Sequence, residues 1–357
     1  MNKKLPLRKR AALELFRKTR KNNTHLHELR TLFWECTLRC NLSCLHCGSD
    51  CKKSSCFQDM PAKDFMQVIQ QIKPRINPNK TMIIFSGGEA LLRDDLESIA
   101  LELYKQGFPW GLVSNGLILD QNRLDSLLKA GLHSITISLD GFKEEHNWLR
   151  QHPQSYNKAL DAIKMLTKEK EIVWDVVTCV NQKNLKQLGD FKESLIDIGV
   201  KDWRIFTIFP AGRGASLPEL QLSDEEFTWA LDFISATRKE KRINLNYSCE
   251  GFLGNYEMDV RDHFFYCNAG INVASVLADG SISGCTSIRS NFHQGNIYKD
   301  NFIDVWENRF QPFRNREWAR KGICGDCSSF RYCEGNGIHL YDDNGNLQIC
   351  HLNRILK

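Results

Sequence analysis

After residue 30 the chain alternates short β-rich runs with longer stretches of helical period. The β-rich runs are TLFWECT, MIIFSGG, PWGLVSNG, SITISLDG, IVWDVVTCV and DWRIFTIFPA, dense in the β-branched and aromatic residues that buried parallel strands favour. Between and after them come AKDFMQVIQQI, LESIALELYKQG, NRLDSLLKAG, YNKALDAIKMLTKE, NLKQLGDFKESLIDIG and DEEFTWALDFISATRK. These repeat apolar residues every three to four positions, as helices with one buried face do. Gly107, Gly131 and Gly199 stand at the ends of three of them, where a left-handed cap favours glycine.

Six strand–helix units predict an α/β fold with a parallel sheet. They are too few for the eight-stranded barrel, and a doubly wound sheet has the same alternation. The polar residues favour a barrel. Ser86-Gly87-Gly88-Glu89, Ser114-Asn115-Gly116 and Ser138-Leu139-Asp140-Gly141 crowd the C-terminal ends of successive strands, where a barrel keeps its chemistry. The expectation is a partial (β/α)6 TIM-like barrel over residues 31–240. Beyond 241 the periodicity fades into a stretch rich in Cys, Gly and Asn, with one clear helical segment near 303–318. Residues 241–357 are therefore expected to be a small Cys-rich module that needs metal to hold it together.

Composition adds limits. The chain has 357 residues, 42% of them hydrophobic, enough for a large core and a smaller module. No apolar run approaches the roughly 18–20 residues of a membrane span. The basic N-terminus has no continuous apolar stretch of the secretory kind, so a cytoplasmic location is expected. Nine Lys or Arg face the single acid Glu14 within residues 3–21, although the net charge is only +5. Residues 1–30 read as a basic helical extension. It either meets an acidic peptide, nucleic acid or lipid, or forms a solvated cap on the barrel bottom. Fourteen cysteines in such a chain favour metal ligation over disulfides.

Cys40, Cys44 and Cys47 follow the first strand in RCNLSCLHCG. A closed zinc site wants four ligands, so three thiolates suit a metal assembly with one open position; a zinc loop completed by His46 or Cys51 is the competing reading. With Ser86-Gly87-Gly88-Glu89 one unit later, the pattern resembles the radical S-adenosylmethionine (SAM) superfamily. The resemblance implies a 4Fe–4S cluster on Cys40, Cys44 and Cys47 whose open iron binds SAM. It places Gly87 and Gly88 against the methionyl end of SAM, Glu89 on its amino group, and Arg150 of the His146–Arg150 segment on its carboxylate. Ser114, Asn115, Ser138 and Asp140 occupy family positions at the third and fourth strand ends. His46 stands where the family has an aromatic ring.

The C-terminal cysteines resemble the SPASM domain, an auxiliary-cluster module with a β-hairpin, placed here at Ala278-Asp279-Gly280. By that resemblance Cys324, Cys327, Cys333 and Cys350 ligate a distal cluster, with structural zinc as the competitor. Cys267 and Cys285 belong to a nearer one, with Cys249 as candidate third ligand. The cysteine expected four residues after Cys333 is Gly337. The nearer cluster would therefore carry an open iron, recruit a substitute such as His339, or be absent. Cys36 and Cys179 read as core residues in strands. Cys51 and Cys56 sit close enough to the first loop to face the site. Arg213, after the sixth strand, offers a contact for a carboxylate or for SAM, or else a structural salt bridge.

The resemblance implies a maturase acting on a peptide or protein side chain, with a flavodoxin- or ferredoxin-type electron donor and neither nucleic acid nor membrane span. Thr286 replaces the acid of the sulfatase-maturing relatives, so that activity is not assigned. Residues 1–30 are too short for a leader-binding domain, which would leave peptide recognition to the barrel, the C-terminal module or another protein. The alternatives are tetrapyrrole or small redox-cofactor biosynthesis and, from another class, a non-catalytic iron–sulfur redox protein.

Overall fold

Seven parallel strands follow one another in chain order, each beside the last: β1 (Thr31–Thr37), β2 (Met82–Gly87), β3 (Trp110–Ser114), β4 (Leu132–Ser138), β5 (Val173–Val180), β6 (Asp202–Thr207) and β7 (Asn244–Tyr247). The computed structural model describes residues 5–55, 58–248, 250–289 and 291–356. All six expected strands are present, in the mixed α/β, partial-barrel arrangement expected. The seventh, NLNY, is four residues long with an exposed Asn at its start, too short and polar to show a strand period.

Helices cover the sheet: α1 (Leu7–Leu26), α2 (Ala62–Ile72), α3 (Leu96–Lys105), α4 (Gln121–Lys129), α5 (Lys143–Arg150), α6 (Ser155–Leu166), α7 (Leu188–Ile198), α8 (Asp224–Glu240) and α9 (Phe302–Asn308). Gly107, Gly131 and Gly199 take positive φ angles as expected. α8 opens with a capping box between Ser223 and Glu226. The helical stretch expected near 303–318 breaks after Asn308, and Pro312 sits in the first turn of a new short helix; proline cannot donate the hydrogen bond that would continue the old one.

The Cys-rich segment does not stand apart. Its strand β8 (Val273–Val276) runs parallel to β1, with Thr31 opposite Val273 and Trp34 opposite Val276. β9 (Ser281–Ser283) and β10 (Gly295–Asn296) extend the sheet antiparallel, and Gly280 turns the hairpin at φ +83°. One ten-stranded sheet therefore crosses residue 240. Its core is apolar and close-packed: Trp34 stacks on Phe65 with ring centroids 4.2 Å apart, each buried ring contributing about 1.5–3 kcal/mol.

α1 does not lie on the barrel bottom. Leu13 packs with Phe252, Phe265 and Tyr332, and Arg20 donates to the Tyr332 carbonyl and to Glu334, both at 2.5 Å. Lys9 pairs with Asp259 at 3.1 Å, and Arg331 with Glu14 at 2.6 Å. The acidic and carbonyl partners of this basic helix belong to the C-terminal module, and that charge match selects the docking surface. Among the described residues no helix is long and apolar enough to cross a membrane.

Candidate functional site at the strand ends

β1 runs out at Thr37, and the loop that follows returns upon itself: the Cys40 N–H donates to the Lys52 carbonyl at 2.8 Å. Cys40, Cys44 and Cys51 are buried inside this loop with Leu42, and Cys47 packs against them. Cys51 hydrogen-bonds Cys47, which pulls the Cys47 thiol down to about 5 against the opposing effect of burial; the same bond and burial raise Cys51. Cys36, by contrast, lies fully buried in β1 with its sulfur on the Ser86 carbonyl at 3.4 Å. Cys179, half-buried, donates its backbone N–H to Asp140 at 2.8 Å. Cys56 is outside the described residues.

The β2 end comes in against this loop. Gly88 N–H donates to Thr37 O at 2.8 Å and Glu89 N–H to Arg39 O at 2.9 Å. A Cβ on Gly87 would lie 2.1 Å from Thr37 O, and one on Gly88 2.0 Å from Arg39 O. The close approach that requires glycine here is therefore to the first strand and the cysteine loop. Glu89, 1% exposed, accepts from Ser114 Oγ at 2.9 Å, Asn115 N at 2.8 Å and Leu91 N at 3.3 Å. Burial nonetheless pushes its pKa up, so the carboxylate stands where a cation would satisfy it.

Polar side chains also converge on the thiols. Asn115 Nδ2 lies 3.9 Å from the Cys40 sulfur and donates to Asn41 Oδ1 at 2.8 Å. Arg150, at the end of α5, puts Nη1 3.9 Å from the Cys44 sulfur and Nε 2.6 Å from Asp140 Oδ2. Burial works against both charges of that pair. For Asp140 burial is the largest single cause, but the charge and hydrogen bond of Arg150 together with His46 and His146 hold the carboxyl down at about 2, and the carboxylate raises Arg150 in turn. His146 Nδ1 accepts from the Asp140 N–H at 3.0 Å, fixing the turn after β4. Ser138 is buried at that strand's end. His46 is held neutral by burial, its pKa lowered to about 3, and its Nδ1 is buried without a partner.

Arg213 is a loop brace. It donates to Cys44 O at 2.8 Å and Cys51 O at 3.0 Å and pairs with Asp50 at 2.6 Å, leaving the salt-bridge alternative as the one the contacts support. The donor set is thus soft sulfur ringed by hydrogen-bond donors, with an acid and a cation beside it. That combination fits an iron–sulfur cluster and the amino-acid end of SAM.

In the C-terminal module Cys324, Cys333 and Cys350 are raised first by burial, Cys324 to about 11, and then by neighbouring thiols, Cys327 among them, which places the four sulfurs together. Asn336, at φ +67°, braces them: its N–H donates to the Cys333 sulfur at 3.1 Å. Cys267 and Cys285 neighbour each other at the foot of the hairpin. Cys249 is outside the described residues. The position expected to hold a cysteine is filled from elsewhere, because a Cβ on Gly337 would meet the His339 ring at 2.6 Å. His339 is neutral, lowered to about 4 by burial despite Glu250. Among the described residues no three His, Cys, Asp or Glu side chains converge on a single-ion site.

The sequence reading overlooked the struts between the two regions. Glu35, buried in β1, accepts from the Ala278 N–H at 3.1 Å and from Arg289 at 2.7 Å. Glu250, 4% exposed, accepts from Tyr247 at 2.5 Å and sits 3.4 Å from His351, next to Cys350. An acid inside TLFWECT was the one visible signal for the first. Glu250 and His351 lie in aperiodic sequence and gave none.

The radical SAM superfamily profile matches residues 34–195, and the profile of an iron–sulfur cluster-binding domain, SPASM, matches 267–328. An AdoMet-dependent heme synthase of Methanosarcina barkeri is 27% identical over 334 residues, covering 88% of this chain and 93% of its own length. Mycofactocin maturase MftC of Mycolicibacterium smegmatis is 27% identical over 313 residues, covering 85% and 76%. The solved structure of anSMEcpe with bound AdoMet and the Cp18Cys peptide superposes with a TM-score of 0.71 at 19% identity, over 92% of this chain and 94% of that one, a likeness of fold. The chain thus carries a radical SAM domain over residues 34–195 and a C-terminal SPASM domain over residues 267–328.

Proposed function

We propose that the chain cleaves SAM reductively at a 4Fe–4S cluster held by Cys40, Cys44 and Cys47, and takes hydrogen from a tetrapyrrole side chain. The carrying observation is the convergence of those thiols with Glu89 and Arg150 at the strand ends. When bound, the cluster and SAM supply an electron and, on breaking the C5′–S bond, a 5′-deoxyadenosyl radical. Glu89 receives the amino group. Three hydrogen bonds fix its two oxygens and leave room for one more donor, and the ammonium offsets the burial that pushes its pKa up. Arg150 takes the carboxylate through the guanidinium edge that Asp140 does not use. The orphaned His46 Nδ1 meets a polar group of the nucleoside. Ser86, Gly87, Gly88, Ser114, Asn115, Ser138 and Asp140 shape the pocket around these contacts. One or both auxiliary clusters sit on the C-terminal cysteines, and a flavodoxin- or ferredoxin-type protein supplies electrons.

The substrate assignment puts tetrapyrroles ahead of peptides, reversing the order implied by the family resemblance. Its support is the heme synthase match over 93% of that relative's length. A cavity of about 230 Å³ between barrel and C-terminal module is lined by Phe209, Pro210, Arg289, His339, Tyr341, Asp342 and Asp343; with two carboxylates beside its one guanidinium it does not by itself favour a ring with acidic side chains, and the assignment rests on the relative. Peptide modification is the second reading, favoured by the maturase relative of equal identity. The test is anaerobic turnover with reductant and SAM. A carboxylated tetrapyrrole is expected to raise 5′-deoxyadenosine formation and itself change mass. A peptide substrate doing so while tetrapyrroles do not would reverse the assignment, and no 5′-deoxyadenosine under any condition would leave a non-catalytic redox protein.

A further inference from the structure

The first cysteine loop holds four thiols where a SAM-binding cluster needs three. Cys51 is 3% exposed and packs in one group with Cys40, Cys44 and Cys47. Its placement is built rather than incidental to the core. The Arg213 guanidinium grips the carbonyls of Cys44 and Cys51 together, and the Cys40–Lys52 backbone bond closes the loop behind them. Both Cys36 and Cys51 place their sulfur on a backbone carbonyl, Ser86 O at 3.4 Å and Ser49 O at 4.0 Å, but Cys36 lies in a regular strand away from the other thiols. Cys51 lies instead in irregular chain, among the proposed ligands.

Resting on the cluster assignment above, we propose that Cys51 is a displaceable fourth ligand. In SAM-free protein its thiolate occupies the corner iron that Cys40, Cys44 and Cys47 leave open, and SAM exchanges with it. In the exchange one Fe–S(Cys51) bond breaks, the amino nitrogen and carboxylate oxygen of SAM bind that iron, and the released thiolate takes a proton from solvent. No electron moves. Two consequences follow from competition within the molecule. The apparent affinity for SAM is lowered by the fraction of protein with Cys51 on the iron. The corner iron, the one otherwise without a protein ligand, is retained when SAM is absent.

The test uses the full chain, reconstituted anaerobically, as wild type, Cys51→Ala and Cys51→Ser; serine keeps the volume and reports even where the alanine cavity hampers reconstitution. Two readouts are taken: the SAM concentration that half-converts the electron paramagnetic resonance spectrum of the reduced cluster, and the three-iron signal after brief oxidation without SAM. The expected result is at least severalfold tighter SAM binding in both variants, with a three-iron signal severalfold larger than wild type that added SAM suppresses. Equal SAM affinity and equal iron loss in all three proteins, with spectra that still respond to SAM, would overturn the Cys51 role and leave the cluster assignment standing. A wild-type spectrum indifferent to SAM would overturn the assignment itself. Zinc on four thiols would overturn both.

Discussion

The two cysteine regions are built on different foundations. The loop at 38–52 hangs from a parallel sheet: β1 enters it, β2 and its two glycines press against it, and Asn115, Arg150 and Arg213 reach it from three later elements. The segment holding Cys324, Cys327, Cys333 and Cys350 has short turns and helices and two small apolar groups around its sulfurs, one of Ala319, Phe330 and Tyr341 and one of Leu13, Phe252, Phe265 and Tyr332. Side chains bonded to backbone brace it, among them Tyr341 Oη on Gly335 O at 2.7 Å and Arg316 on Asn336 O at 2.9 Å. The first region is braced by the barrel's strands, and the second rests on small apolar groups and side-chain bonds to backbone, so the second is expected to depend more on metal.

Removing iron should break this comparison open most widely. In chelator-treated protein, hydrogen exchange is expected to rise across residues 317–350 toward the unfolded rate, while β1–β6 stay protected; equal loosening of both regions would contradict it. Next in size is Arg150→Met, which strands the buried Asp140 carboxylate and is expected to cost about 3–5 kcal/mol in denaturant unfolding. Gly337→Cys sharpens the C-terminal side. Its Cβ would meet His339 at 2.6 Å, so the single variant is expected to lose about 1–3 kcal/mol by overpacking and gain no iron. Gly337→Cys/His339→Ala removes the ring clash, leaving only the Glu250 carbonyl 3.0 Å from the new Cβ to give way, and is expected to bind additional iron. The smallest effect is expected for Lys18→Glu on the exposed face of α1, within about 0.5 kcal/mol of wild type, because the residues that dock this helix are Leu13 and Arg20 on its other side.

What the sequence disclosed follows the same division. Strands β1–β6 and their helices were legible because long apolar runs and a 3.6 period are local signals, and AKDFMQVIQQI is α2 to the residue. The cysteine spacing and Gly-Gly-Glu drew attention to the site because such chemistry clusters in a few positions. β7 escaped because four half-polar residues carry no period, and α5 because KEEHNWLR is polar nearly throughout. The docking of α1 and the Glu35–Arg289 strut were hidden for another reason. Each joins residues more than two hundred positions apart, and no local pattern names such a partner. Fourth-thiol Cys51 was visible as a residue, but its direction depends on Arg213, which lies 162 positions away.

The most direct test of the central claim is 5′-deoxyadenosine formation by anaerobically reconstituted, reduced protein with SAM, compared with Cys40→Ala/Cys44→Ala/Cys47→Ala. The account predicts product from the wild type and only background from the triple variant, with the variant's C-terminal iron still present by metal analysis. Wild-type protein with a full complement of iron and no 5′-deoxyadenosine, or a triple variant that still cleaves SAM, would contradict it.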